Sequence, residues 1–91
     1  MRTPSYSGQF RRDSKRAAKR GKDMEKLKTV ARLLIAGEPL PAIYQDHPLL
    51  GDWAHHRECH IDPDWLLIYK LLDGGLNVRF ERTGTHTDLF R

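Results

Sequence analysis

Residues 64–83, DWLLIYKLLDGGLNVRFERT, decide the fold. Trp65 to Leu72 is apolar enough to be a central strand, and Leu76 to Thr83 alternates with a period of two. Between them Asp73-Gly74-Gly75 supplies glycines that accept the positive φ of a hairpin turn. Toward the N-terminus, WAHHRECHI (53–61) also alternates, and Asp62-Pro63-Asp64 joins it to the central strand. Proline at the first central position, with aspartate before it, favours a tight turn. The expectation is a three-stranded antiparallel meander.

Two helices should precede it. Ser7 can cap a helix that carries Phe10, Ser14 and Ala17 on a narrow stripe and ends near Gly21. Asp23 can cap a second, running to Gly37, in which Met24, Leu27, Val30, Ala31 and Leu34 form one apolar face. EPLPAIYQDHPLLGD (38–52) has three prolines and a glycine, cannot continue a helix, and reads as an extended connection. The predicted architecture is α+β, with two N-terminal helices packed on a small antiparallel sheet and Thr3 to Tyr6 offering a short edge strand.

Ninety-one residues are expected to form a single domain, 1–91, burying little more than ~60% of the unfolded surface. Cys59 is alone, so no intrachain disulfide can form. No signal-peptide core and no run of about 18 apolar residues is visible, which leads to an expectation of a soluble, cytoplasmic protein without membrane contact. The net charge of +4 is unevenly distributed. Residues 1–32 hold eleven Lys or Arg against three acids, whereas the remainder holds five bases against nine acids. Such a field attracts phosphate backbones or an acidic protein, and Arg11, Arg12, Lys15, Arg16, Lys19 and Arg20 form its densest part.

All five histidines, His47, His55, His56, His60 and His86, lie in the second half. His56 and His60 on one strand would be about 13 Å apart, too far for one ion, and His56, Glu58 and His60 at i, i+2, i+4 offer neighbouring pairs at best, so neither a metal nor any other cofactor is expected. A different convergence follows from the turns. The bend at Pro63 brings Asp64 and Trp65 back beside His60, and Gly84 permits a turn that folds His86 and Phe90 toward the same corner. Arg82 continues the parity of Leu76, Val78 and Phe80. It should therefore either end the strand or face a pocket that receives an anion, because an unpaired buried cation is costly. Imidazoles, a carboxylate, a guanidinium and aromatics suit RNA cleavage. The ribose 2′-OH is the nucleophile, histidines can serve as base and acid, arginine can stabilise the charged phosphorane, and Trp65 or Phe90 could stack on a base.

The chain resembles, over nearly its full length, the YafQ branch of the RelE/ParE superfamily of bacterial type II toxins. The resemblance rests on YSGQF (6–10), KRGKDMEKL (19–27), DHPL (46–49), G-x-W (51–53), DPDWLLIYK (62–70) and RFERTGTHTDLF (79–90), in that order and spacing. It implies a RelE-like fold and a ribosome-dependent, metal-independent mRNA endonuclease that cuts the codon in the decoding site and halts translation. By the same resemblance the catalytic positions fall on His47, His60, Asp64, Arg82 and His86, with Trp65 and Phe90 meeting the substrate. The implied partners are the ribosome and mRNA, and a cognate antitoxin of the DinJ or RelB kind with a ribbon-helix-helix half, operator DNA being reached only through the antitoxin complex. The basic first helix would contact ribosomal RNA or the antitoxin. His55, His56 and Cys59 lie outside the family pattern. Two further classes remain open from the residues alone: an RNA-binding module without chemistry, and a protein-interaction domain whose basic face serves an acidic partner.

Overall fold

The apolar stretch at the centre of the chain becomes the middle of a sheet covered on both sides. In the computed structural model, which describes residues 1–90, the strands are β1 (Thr3–Tyr6), β2 (His47–Pro48), β3 (Arg57–Asp62), β4 (Trp65–Leu72) and β5 (Asn77–Gly84). The helices are α1 (Gly8–Lys19), α2 (Met24–Ala36) and α3 (His86–Phe90). The strand order is β1-β5-β4-β3-β2. Trp65, Leu67 and Tyr69 face α1 and α2, packing with Phe10, Ala17, Leu27, Val30 and Leu34. Leu66 and Ile68 point the other way, into a smaller cluster with Leu89, Leu49 and Trp53. Burial on both faces is why β4 reads as a continuous apolar run. Leu66 and Ile68 are fully buried, each worth about 1.5–3 kcal/mol relative to exposure.

The expected meander is present as β3-β4-β5, but the sheet has five strands and is mixed. β1, expected as an edge strand, pairs parallel to β5, from Thr3 opposite Asn77 to Tyr6 opposite Phe80. The proline-rich connection hides β2, whose two residues pair with Glu58 and Arg57 of β3. The expected strand from Trp53 starts only at Arg57, because Gly51–Trp53 forms a 3-10 turn and His55 adopts φ 71°, which interrupts extended backbone. Both predicted caps form. Ser7 Oγ accepts from Phe10 N–H at 2.9 Å, and α2 ends at Gly37 in the left-handed region, φ 77°.

Two bulges shape the end of the sheet remote from the Asp73–Gly75 turn. On β3 the register shifts between His60 and Asp62. On β5, Phe80 opposes Tyr69 and Arg82 opposes Ile68, which leaves Glu81 as an extra residue. An extra residue reverses the alternation beyond it. Arg82 therefore does not share the face of Val78 and Phe80, as its parity predicted. Its register position is opposite Ile68, and its guanidinium reaches Asp13 of α1 at the edge of β5. Among the described residues no helix is long and apolar enough to cross a membrane.

Candidate active site

The sheet face away from α1 and α2 gathers the polar groups by register. His47 opposes Glu58, Glu58 opposes Ile68, and Ile68 opposes Arg82, which makes one cross-strand row. His60, Leu66 and Gly84 make the next. The imidazoles follow one another across the surface. Ring centroids of His47 and His60 are 6.1 Å apart, those of His60 and His86 5.9 Å, and those of His86 and Phe90 6.4 Å. Beneath the first pair lies Glu58, a buried carboxylate whose Oε1 is 3.5 Å from His47 Nε2 and 3.4 Å from His60 Nε2. Beside His60 a groove of about 600 Å³ opens between α2 and the 3-10 turn at Ala42–Tyr44, with Lys26, Thr29, Tyr44, Gln45 and Pro63 in its walls.

His86 reaches the row because it opens α3. Thr85 and Asp88 form a reciprocal cap: Thr85 N–H donates to Asp88 Oδ2 at 3.0 Å and Asp88 N–H to Thr85 Oγ1 at 3.1 Å. Arg20, the residue that caps the C-terminus of α1, donates to the same carboxylate at 2.7 Å, and Arg16 lies 3.9 Å away. The bond from Arg20, with those from Thr85, holds Asp88 well below the usual carboxylate range. Gly84 had been expected to permit a turn. The chain does turn there, between β5 and α3, and a Cβ at Gly84 would stand 2.9 Å from Asp88 Oδ2 and 3.0 Å from Asp88 Cβ. The missing side chain is what lets α3 close onto β5. Asp64, in the Pro63 turn, then accepts from His86 twice, from Nδ1 at 2.9 Å and from the backbone N–H at 3.1 Å. The bond from the imidazole lowers the Asp64 carboxyl further than any other contact.

Of the expected site residues, the fold brings His47, His60, Asp64, His86 and Phe90 together. Arg82 lies across β4 from Glu58, two strand spacings or about 10 Å away. It does not stand unpaired: its Nε donates to Asp13 Oδ2 at 2.7 Å and its Nη2 lies 3.3 Å from Oδ1. Trp65 is a correction. It is 1% exposed and donates through Nε1 to Thr83 Oγ1 at 2.9 Å, inside the helix-facing core, where no nucleobase can stack on it. Phe90, 42% exposed, keeps an accessible ring. The six bases of α1 are not one equivalent surface either. Arg16 and Arg20 serve Asp13 and Asp88, Arg11 lies over Tyr6, and Arg12 donates to Gln9. Among the described residues, Lys15 and Lys19 have no ion-pair partner and point to solvent.

Asp13 and Asp88 were not anticipated as parts of the site, and Glu58 was weighed only as a strand neighbour of His56 and His60 for a metal. Asp13 left a trace, being the single acid in RRDSKRAAKR (11–20) and spaced from Phe10 and Ala17 for the buried side of α1. Burial raises its carboxyl, but bonds from Arg82, Gln9 and Thr83 outweigh that and hold it low. Cys59, fully buried, has its thiol pushed up to about 12 by desolvation and is no nucleophile. His56 leans on Glu81 at 3.3 Å with its ring edge to Trp53, outside the row.

One ligand set for a metal was missed because its members sit on two strands. One ligand atom from each of His47, Glu58 and His60 lies within 4.8 Å of the others. Two imidazoles and a carboxylate suit zinc or copper, with a position left for an exogenous ligand.

The family model described as a bacterial toxin of a type II toxin-antitoxin system, YafQ, matches residues 2–91. The chain is 58% identical over 91 residues to the mRNA interferase toxin YafQ of Escherichia coli strain K12, covering 99% of this chain and 97% of that one. The toxin in a crystal structure of the E. coli DinJ-YafQ toxin-antitoxin complex superposes with a TM-score of 0.90 at 56% identity, over 99% of this chain and 98% of the other. A metal-bound toxin from Helicobacter pylori superposes with a TM-score of 0.91 at 38% identity, over 99% and 100%.

Proposed function

The chain belongs to the YafQ family of bacterial type II toxins, and from that membership we propose that it is an mRNA endoribonuclease that cuts the codon in the ribosomal decoding site without a catalytic metal. The observation that carries the proposal is the contiguous row of His47, His60, His86 and Phe90, with His86 fastened to Asp64. With Nδ1–H given to Asp64, His86 Nε2 is the atom that meets substrate. One imidazole of the His60–His86 pair takes the proton of the ribose 2′-OH. The oxygen attacks the adjacent phosphorus, and the P–O5′ bond breaks as the other imidazole protonates the leaving oxygen. The products are a 2′,3′-cyclic phosphate and a free 5′-OH. His47 flanks the pair, Arg82 supplies positive charge toward the phosphate from β5, and Phe90 stacks against a base. The acid and base roles are assigned to the pair of imidazoles together.

The partners follow from the same reading: the ribosome with its mRNA, and a DinJ-like ribbon-helix-helix antitoxin that brings the toxin to operator DNA. Lys15 and Lys19 are side chains of α1 with no polar partner among the described residues, free to meet RNA phosphate or an acidic antitoxin segment. The test is cleavage of mRNA on programmed ribosomes with end mapping. His60→Ala and His86→Ala should each slow the cut by about 10²–10⁴-fold while still binding antitoxin. Translation arrest with transcripts left intact would instead favour the non-catalytic RNA-binding class.

The cluster of His47, Glu58 and His60 favours a second reading, that a transition metal binds there and competes with proton transfer by His60. Calorimetric titration with Zn²⁺ or Cu²⁺ should find one site, lost in Glu58→Gln, and the metal should slow cleavage. Tight binding retained in Glu58→Gln would place the metal elsewhere.

A further inference from the structure

Asp13 lies on α1, outside the elements that carry the histidines of the row, and its side chain is fully buried. Five donors converge on it. Besides the two from Arg82, Thr83 N–H donates at 3.1 Å, Gln9 Nε2 at 3.0 Å and Arg16 Nη2 at 3.2 Å. It reaches β5 where that strand lacks an outer neighbour, since β1 ends at Tyr6 opposite Phe80. This is also just past the bulge that sets Arg82 opposite Ile68.

We propose that Asp13 is the positioning residue for Arg82, gripping one edge of its guanidinium so that the opposite edge is held ready for the scissile phosphate. The inference rests on the reading of Arg82 as the phosphate-facing cation. Nε and Nη2 are engaged, whereas Nη1 has no partner among the described residues. A guanidinium held along one edge has lost its rotamer freedom before substrate arrives, and its remaining donors keep a fixed direction. The Thr83 amide bond ties the same carboxylate to the backbone that follows Arg82, so cation and strand are held by one anchor.

Single-turnover cleavage on programmed ribosomes at saturating toxin tests this with Asp13→Asn, Arg82→Ala and the double variant. Asp13→Asn should cleave about 10–100-fold more slowly, the range for losing an outer-shell orienting partner, with ribosome affinity unchanged. The double variant should be no slower than Arg82→Ala alone. Independent, multiplying defects would overturn the proposal, as would a wild-type rate for Asp13→Asn beside a defective Arg82→Ala. A wild-type rate for Arg82→Ala would overturn the underlying reading of Arg82 instead. Should Asp13→Asn fail to fold, side-chain NMR of the wild-type toxin decides: the Arg82 guanidinium should rotate far more slowly than that of exposed Arg11, and equal rotation would overturn the proposal.

Discussion

Asp64 Oδ1 accepts both the Nδ1–H and the backbone N–H of His86, at 2.9 and 3.1 Å, so one carboxylate oxygen fixes the imidazole and the first turn of the helix that carries it. Both side chains are more than half exposed, so the contact contributes little to folding and its consequence lies in which ring nitrogen faces outward. Asp64→Asn keeps an oxygen but loses the charge. It should lower the single-turnover cleavage rate by about tenfold or more while leaving the melting temperature within a degree or two. An unaltered rate would remove Asp64 from the chemistry.

Gly84→Ala should disarm the toxin through α3. The new methyl would overlap Asp88, and overpacking of this kind costs about 1–3 kcal/mol. The helix can relieve it only by moving away from β5, taking His86 with it. Cleavage should fall much further than thermal stability, and hydrogen exchange should accelerate selectively in residues 85–90.

Acid should loosen the same corner. The bond from Arg20 holds the Asp88 carboxyl, and, despite burial, the bond from Arg82 the Asp13 carboxyl, below the usual aspartate range, so each contributes stability that is fully present above about pH 5. That contribution is lost progressively as the pH falls below 4 toward the folded values. Denaturant melts at pH 7, 4 and 3 should show wild-type stability declining across that window. Asp88→Asn should be less stable at pH 7 and decline less steeply. Parallel declines would show that Asp88 does not titrate with unfolding.

The α1 bases should divide into two functional groups. Lys15 and Lys19 have no ion-pair partner among the described residues, so replacing both by Ala should weaken ribosome binding in a salt-dependent way and leave the bound cleavage rate unchanged. Arg20→Ala removes the 2.7 Å bond to Asp88 and should lower the bound rate as well. Equivalent effects from both changes would mean that the basic face acts as one undifferentiated field.

Sequence patterning carries what depends on local rules. Ser7, Asp23 and Gly37 are read as caps because capping is decided within a few residues, and Trp65–Leu72 is read as central because both faces of that strand are apolar. The meeting of His60, Asp64 and His86 was also legible, since two tight turns at known places bring their strand ends to one corner. What escaped was set by register. Glu81 bulges out of β5 and reverses Arg82, and nothing in RFERT marks the slip. His47 joins Glu58 only through a two-residue strand inside a proline-rich loop. Long-range partners such as Asp13 with Arg82, 69 residues apart, leave little local trace.

Trp65 offers the sharpest separation of core from site. Its ring is buried at 1% exposure and its Nε1–H donates to Thr83 Oγ1, which itself donates to Leu66 O at 2.7 Å. Trp65→Phe retains an aromatic body and deletes that donor. The lost bond should cost about 1 kcal/mol, and the smaller ring adds a cavity cost of the same order. Equilibrium unfolding should therefore show a lower midpoint with the slope unchanged, while cleavage of ribosome-bound mRNA keeps its rate and codon preference. A base stacked on Trp65 would give the opposite pattern, with stability retained and cleavage or codon choice altered. The burial of the indole argues for the first outcome, because a ring 1% exposed offers no face to a base.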